Sequence, residues 1–429
     1  FMSDANTAYV DTKTRRKVIA AGVSGNVLEW YDFGVYGFFA PIIGRLFFPS
    51  DDPTVSLIAA FGAFAAGFLM RPIGGFIFGH IGDKIGRKQV LVVSVILMAI
   101  PTGIVGILPT HASIGISAAI MLVAMRMLQG LSVGGEYTGS VVFVAEHAPI
   151  KRRGFITSWT QVGAVGGILL GSGISALVTN LLTDDQVAQW GWRIPFLLGI
   201  LVGVVGLLIR RHLPDTPIEA TDGPPSGSPA IEAIRTEWRA MGKMIGYTII
   251  NAVGFYIAFV YVLTWLVDQV KEPRSDALDI NTIAMTVLLV LIPFVGWLSD
   301  KVGRKPVLAF GAGGFMILSY PLILLMHHPN FALILTGQVG FAVLVAALLG
   351  AGPANLSEMF PSRVRVSAMS VGYNVSMAIF GGTTPLIAAW LLNRTHNDLS
   401  FVWYMNACAA VSLVATLMLR EGAGKPLPK

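Results

Sequence analysis

The chain has 429 residues, of which 54% are hydrophobic and only 13% charged, with a formal net charge of +6 and a mean hydropathy of +0.69. That share of apolar side chain exceeds what a water-soluble globule buries, which excludes a soluble enzyme and, equally, intrinsic disorder. The single cysteine, Cys408, excludes a disulfide scaffold and a cysteine-ligated metal centre, and the 48 glycines have no collagen period.

Spanning the hydrocarbon of a bilayer takes roughly 20 apolar residues per helix. Twelve such runs follow one another, near 18–40, 55–79, 89–108, 113–138, 154–181, 192–210, 242–268, 280–298, 306–326, 330–352, 366–392 and 400–419. The expected fold is therefore an all-α integral membrane protein of twelve transmembrane helices. Residues 18–212 form a first six-helix bundle and 241–420 a second, with tails at 1–17 and 421–429. Between the bundles, 213–240 holds Pro214, Pro217, Pro224, Pro225 and Pro229 and reads as a linker. The first apolar run is long enough to stay in the membrane as a span rather than leave as a signal peptide.

Charge sets the expected orientation, because cytoplasmic loops retain Lys and Arg. Of the 30 basic residues, 23 fall on one side, and only Arg45, Arg193, Lys271, Arg274 and Arg394 fall on the other. Both tails are thus expected in the cytoplasm of a cell with the chain in its inner membrane. The basic balance then reflects topology and gives no support to a nucleic-acid partner. The partners expected are lipid and a small-molecule substrate, for a chain that works as a monomer.

An internal repeat accounts for the even helix count. Gly79, Asp83, Gly86, Arg87 and Lys88 return as Gly296, Asp300, Gly303, Arg304 and Lys305, at an offset of 217 residues and in both cases between the second and third helix of a half. After the fourth helix, Glu146, Pro149 and Arg153 return as Glu358, Pro361 and Arg365, at an offset of 212. Two pseudo-symmetric halves with a substrate site between them near the midplane follow.

The duplicated Gly-x-x-x-Asp-x-x-Gly-Arg-Lys loop resembles the signature of the major facilitator superfamily. Arg126-Met-Leu-Gln129-Gly130 is similar to its fourth-helix motif, and Leu213-Pro-Asp-Thr-Pro217 to the sequence after its sixth helix. Gly25 to Phe33 with Glu29 and Asp32, Phe68 to Pro72 around Arg71, Gly134-Gly135-Glu136-Tyr137 and Trp190 to Phe196 resemble, more narrowly, the metabolite:proton symporters. That resemblance implies the major facilitator fold and proton-driven transport of citrate, 2-oxoglutarate, shikimate, other small organic acids, or proline and betaine. Its osmosensing proline/betaine members carry long heptad-bearing tails, whereas this sequence stops nine residues after Arg420, so a coiled-coil osmosensor is not expected.

An ionisable side chain at mid-bilayer costs roughly 2.5–3.5 kcal/mol on insertion scales, so Glu29, Asp32, Arg71, Arg126 and Glu136 each ask for a partner or a function. Glu29 and Asp32 are three residues apart and share a face of the first helix. In the superfamily, helices one, four, seven and ten line the cavity, which would turn that face toward Arg126. A carboxylate paired with an arginine keeps its charge, and takes a proton when the pair loosens. The arginine is then free to hold a substrate carboxylate with its planar fork. Asp32 is the first choice of proton carrier, Glu29 the second and Glu136 the third. Substrate contacts are expected from Arg126, Arg71, Tyr31, Tyr36, Gln161, Asn251, Tyr256, Tyr373 and Asn374. Aromatics among them could accept a quaternary ammonium by cation–π contact.

Asp83, Gly86 and Arg87, with Asp300, Gly303 and Arg304, are expected to gate. The aspartate would bond the free N–H groups at a neighbouring helix N-terminus, and the glycine would permit the tight turn. Helix five carries Gly163, Gly167 and Gly171 as a close-packing stripe and lacks the proline of the antiporter motif, which favours symport. No catalytic residue, metal site or cofactor is expected, protons being the coupling ion. The expected activity is symport of a mono- or dicarboxylate, with a zwitterion such as proline or betaine as the alternative and a proton/drug antiporter behind both.

Overall fold

The computed structural model describes residues 12–77, 87–211, 229–362 and 364–428. Among them lie twelve long helices and no strand. The first half holds α1 (Thr12–Phe47), α2 (Pro53–Ile77), α3 (Arg87–Ile107), α4 (Ile116–Glu146), α5 (Ile150–Leu181) and α6 (Arg193–Arg211). The second holds α7 (Ala230–Val270), α8 (Arg274–Val302), α9 (Arg304–Met326), α10 (Phe331–Glu358), α11 (Arg365–Thr395) and α12 (Ser400–Leu417). Helices α2, α4, α5 and α7 to α12 are each long and apolar enough to cross a membrane, and α6 joins them when Asp184–Gly191 is counted with it across a 51° bend. Of the other two, α3 offers the shorter apolar stretch Val93–Ile107, and the apolar run of α1 is broken by Asn26, Glu29 and Asp32.

Helix starts follow local chemistry. Asp52 caps α2 by accepting from Thr54 N at 2.8 Å, with Pro53 in the first turn, and Asn330 caps α10 through Ala332 N and Leu333 N. The outer surface is an apolar belt: Leu201, Val204, Val205 and Leu208 on α6 and Val411 and Val414 on α12 are exposed at helical spacing, as a lipid-facing side requires. In one respect the expected boundaries shift. Helix α7 begins at Ala230, inside the stretch read as linker, because Pro229 favours a first turn and the Ala- and Glu-bearing sequence beyond it favours a helix. Residues 212–228 lie outside the described part.

Within the first half α1 packs on α5 and α2, and α3 on α6; in the second, α7 packs on α11 and α12, and α9 on α10. The halves meet along α5 with α8 and along α2 with α11, two seams that exchange under the repeat. Backbones touch where glycines cross. A β-carbon on Gly163 would lie 2.6 Å from the carbonyl oxygen of Val23, and one on Gly167 would collide with that of Val27, which presses α5 onto α1. Between α2 and α4, a β-carbon on Gly130 would overlap the carbonyl of Gly67, and one on Gly67 would lie 2.9 Å from the carbonyl oxygen of Arg126. This crossing holds the segments bearing Arg71 and Arg126 side by side.

Gly130→Val should therefore push α2 from α4 and lower the melting temperature of the detergent-solubilised protein, in the range that overpacking costs, about 1–3 kcal/mol. Gly139→Ala, where the added carbon meets nothing within 4 Å and alanine favours the helix, should melt at or above the wild type. Equal melting of both variants would refute the crossing.

Candidate functional site

The site is built around acids on α1. Asp32, fully buried, pairs with Arg126 of α4 at 2.5 Å. It also accepts from Thr102 Oγ1 of α3 at 2.7 Å and from Gln129 Nε2 of α4 at 2.9 Å, while Gln129 Oε1 accepts from Arg126 at 2.7 Å. Four side chains from three helices thus close one network with no exposure to solvent. The guanidinium leaves Nε and Nη2 without hydrogen-bond partners and lies over the rings of Phe33 and Tyr36, at 4.6 and 4.4 Å from their centroids. Ring quadrupoles there replace part of the lost hydration.

Glu29 does not share that arginine. It faces Arg71 of α2, with 3.4 Å between Oε1 and Nη2. Arg71 is itself stacked over Phe68 at 4.1 Å and lies 5.2 Å from each of Trp30 and Phe33. Phe33 is therefore wedged between two guanidiniums, and each arginine has its own acid. Arg126 is thus seen in its paired state, and the difference from the expected geometry is that Glu29 meets Arg71 rather than sharing a face opposite Arg126. Adjacent α2 and α4 bring two arginines to the same level of α1, and successive turns of α1 answer them separately.

Beside this pairing lies a small cavity between the halves, lined by Trp30 of α1, Gln161 of α5, Asn251, Phe255 and Tyr256 of α7, and Tyr373 of α11. Its volume is about 20 Å³, room for one water molecule and too little for an organic solute, so the side chains must part before a solute enters. Two buried polar atoms in the wall, Asn251 Oδ1 and Tyr256 Oη, have no hydrogen-bond partner. Gln161 donates to Tyr137 Oη at 2.6 Å, and Tyr137 stacks on Tyr373 with ring centroids 4.8 Å apart.

Four of the expected contact residues, Gln161, Asn251, Tyr256 and Tyr373, thus meet in one cavity. The others do not line it. Tyr31 turns to α6 and donates to Pro195 O at 2.5 Å, Tyr36 donates to Ala60 O at 2.9 Å, and Asn374 donates to the carbonyl of Gly134 across the halves. Tyr31 and Asn374 follow the cavity-lining Trp30 and Tyr373 by one residue, about 100° round the helix, and Tyr36 lies six residues beyond Trp30. The side chain of Glu136 lies outside the described residues. Sequence reasoning passed over Trp30, Phe33, Phe68, Thr102 and the role of Gln129. For Trp30, Phe33, Phe68 and Gln129 the available signal was their spacing of one to three residues from one of Glu29, Asp32, Arg71 and Arg126; Thr102, on α3, has no such signal.

At the face that carries the repeated loops, the halves are locked together. Asp300 accepts from Gly154 N at 2.8 Å and Phe155 N at 2.9 Å, in the first turns of α5, where the helix dipole favours an anion. Gly296 makes room for that contact, since a β-carbon on it would lie 2.7 Å from Gly154 O, and Gly303 turns the chain at φ 103°, a conformation that favours glycine. Arg304 bridges Asp300 at 2.9 Å and Glu358 at 3.2 Å. The second repeat is exchanged between halves: Arg153 pairs with Glu358 at 2.9 Å, and Arg365 pairs with Glu146 at 2.8 Å. The end of the chain joins in, with Lys425 O accepting from Arg153 at 3.1 Å and Pro428 O from Arg365 at 2.6 Å. Burial raises the Glu421 carboxyl, but N–H groups of Ala423, Arg304 and Lys305 bond it and hold it below the usual carboxylate range. Asp83 and Gly86 lie outside the described residues, as does the side chain of Arg87.

Breaking one member of the Asp32–Arg126 pair should strand a buried charge at a cost of about 3–5 kcal/mol, whereas removing both charges should cost less than either alone. Melting of Asp32→Asn, Arg126→Gln and the double variant checks this. A double variant as unstable as the sum of the singles would show the two groups to be uncoupled.

Comparison with known proteins agrees with this architecture. Residues 17–218 match the family described as "Sugar (and other) transporter" and residues 250–429 match the "Major Facilitator Superfamily". A proline/betaine transporter of Salmonella typhimurium is 36% identical, over 98% of this chain and 87% of its own length. A glycine betaine/proline/ectoine/pipecolic acid transporter of Dickeya dadantii is 37% identical, over 98% and 86%. Neither name is that of a carboxylate carrier of the citrate or shikimate kind, contrary to the first expectation of cargo. In fold, the crystal structure of a D-xylose–proton symporter superposes with a TM-score of 0.77 over 96% of this chain and 99% of that one, at 19% identity. With twelve helices in two repeated halves, the fold of a known transporter and this identity to curated relatives along nearly its whole length, the chain belongs to the major facilitator superfamily and is a multi-pass membrane transporter.

Proposed function

We propose that the chain is a proton-coupled symporter that brings a small zwitterion, of the class of proline and betaine, into the cell by alternating access. The observation that carries this reading is that both in-span arginines are already neutralised by α1 acids, while the cavity beside them offers rings and amides instead of a free cation. While Asp32 and Glu29 keep their charges, a carboxylate anion would enter such a cavity with no counter-charge. A zwitterion brings both charges: its cationic nitrogen suits the faces of Trp30, Tyr256 and Tyr373, and its carboxylate suits the Tyr256 hydroxyl and the Gln161 and Asn251 amides. Asn251 Oδ1, otherwise unpartnered, would accept an N–H of a protonated amine. The names of the two relatives point the same way.

Coupling runs through α1, which carries Asp32 two residues from Trp30. When Asp32 takes a proton, its attraction for Arg126 falls, and Thr102 and Gln129 remain to hold the neutral acid. Helix α1 is then released from α4 while its other face still contacts the solute. The repeated-loop face is cytoplasmic by its excess of Lys and Arg, so the paired charges there form the inner gate, and the chain sits in the cell's inner membrane with both tails inside.

Because a zwitterion has no net charge, each proton carried with it moves one positive charge inward, worth about 2.3 kcal/mol per 100 mV. In liposomes without a pH difference, a negative-inside potassium diffusion potential should alone drive accumulation of labelled proline or betaine. Symport of a monocarboxylate with one proton would be electroneutral. Uptake of proline and betaine that ignores the potential, or uptake of 2-oxoglutarate in preference to both, would overturn the reading. Asp32→Asn should keep counterflow exchange and lose gradient-driven accumulation.

A further inference from the structure

The face opposite the repeated loops is poor in cations, since Arg45, Arg193, Lys271, Arg274 and Arg394 are all that the sequence places there. Three of these five gather at one point. Arg45, Lys271 and Arg274 lie within electrostatic reach of the carboxylate of Asp268. Arg45, Asp268 and Lys271 line a cleft of about 300 Å³ between the halves, together with Thr54 of α2 and Tyr261, Thr264 and Trp265 of α7. That volume is at the lower end of the range of small-molecule sites and far exceeds that of the central cavity.

The backbone around the cleft is specialised. Helix α7 widens to π-helix at Ile257–Tyr261 and again at Leu266–Val270, segments that contain Tyr261 and Asp268 and enclose Thr264 and Trp265, a distortion that concentrates at functional sites. Lys271 then ends the helix at φ 69°, a left-handed position that favours glycine, with its Nζ on Asp268 O at 2.5 Å. Glycine there would relieve the backbone but remove the cation. Thr264 Oγ1 in the wall is buried and has no hydrogen-bond partner. An aromatic seam leads inward: Phe61 of α2 meets Tyr261, and Phe64 and Phe68 meet Tyr256, so the α2–α7 seam borders the cleft at one end and the central cavity at the other.

We infer that this cleft is a second, outer solute site, an antechamber that receives a small zwitterion with its carboxylate toward Arg45 and Lys271 and its cationic nitrogen toward Asp268 and the rings of Tyr261 and Trp265. The identity of the solute rests on the zwitterion reading above; the existence of the site rests on the cleft. A carboxylate and two cations in the wall of one cleft offer a partner to each end of an amphoteric molecule, and the seam passes it inward when the halves rock.

The test separates the two sites. Binding of radiolabelled L-proline is measured on the purified full chain in detergent, for the wild type, for Ala252→Trp, which fills the central cavity, and for Arg45→Gln/Lys271→Gln. Saturable binding should survive Ala252→Trp and should be lost when that change is combined with Arg45→Gln/Lys271→Gln. In uptake, Arg45→Gln/Lys271→Gln and Asp268→Asn should each raise KM about tenfold and leave Vmax within about twofold, with Arg45→Lys close to the wild type. A structural defect would lower Vmax and would not be rescued by the conservative change. Should Ala252→Trp abolish all saturable binding, or should the outer substitutions leave binding and KM unchanged, the outer site is refuted. Outer binding that persists in a chain that transports neither proline nor betaine would uphold the site and refute the transport reading.

Discussion

Two guanidiniums sit in the low-dielectric centre of this molecule, and each is neutralised by an acid of its own on α1: Arg126 by Asp32 and Arg71 by Glu29. An isolated charge at that depth would not be tolerated, so much of the surrounding structure serves these pairs. Thr102 and Gln129 occupy Asp32, Phe33 separates the pairs, and Trp30, Tyr36 and Phe68 face the guanidiniums with their rings. The arrangement leaves the central cavity lined by rings and amides, with both neighbouring guanidiniums paired. That property, more than any single contact, argues for a cargo that carries its own two charges.

A second constraint is the symmetry of the halves. The close α5–α8 and α2–α11 seams are equivalent under the repeat, and the charge locks at the loop-bearing face pair repeat-equivalent residues across the halves, Arg153 with Glu358 and Arg365 with Glu146. Such reciprocal contacts break or form together, which suits a two-state rocking motion better than local flexing. The loop-bearing face is closed here, while the opposite face holds a polar cleft. The cost of parting the loop-bearing face lies largely in buried charge pairs, those of Arg304 with Asp300 and of Arg153 and Arg304 with Glu358, whose partners must be re-solvated together.

The fold was largely legible in the sequence because bilayer thickness, helix rise and the uneven distribution of Lys and Arg are coarse constraints that act along the chain itself. The pairing of Asp32 with Arg126 was legible as well, since burial leaves few acceptable partners for a charge. What was not legible is which arginine Glu29 meets. That depends on the distance between α2 and α4, set by Gly67 touching Gly130 far from Glu29 in sequence. The same limit hid the aromatic surroundings, because Trp30, Phe33 and Phe68 look like ordinary span residues until the helices are assembled. Tyr31, Tyr36 and Asn374 bond backbone carbonyls and do not line the cavity, because residue type marks a hydrogen-bonding group but not the direction it faces. Glu421, read as part of a tail, caps the start of α9 through backbone N–H groups, a contact that leaves no pattern in sequence.

The central claim is that Asp32 exchanges Arg126 for a proton when the solute binds. Proton uptake on adding saturating proline or betaine to the purified protein in weakly buffered detergent, followed with a pH indicator, tests it most directly. The account requires close to one proton bound per chain in the wild type and none in Asp32→Asn, with solute binding itself retained. Proton uptake of the same size in Asp32→Asn, or solute binding with no proton uptake in the wild type, would contradict it.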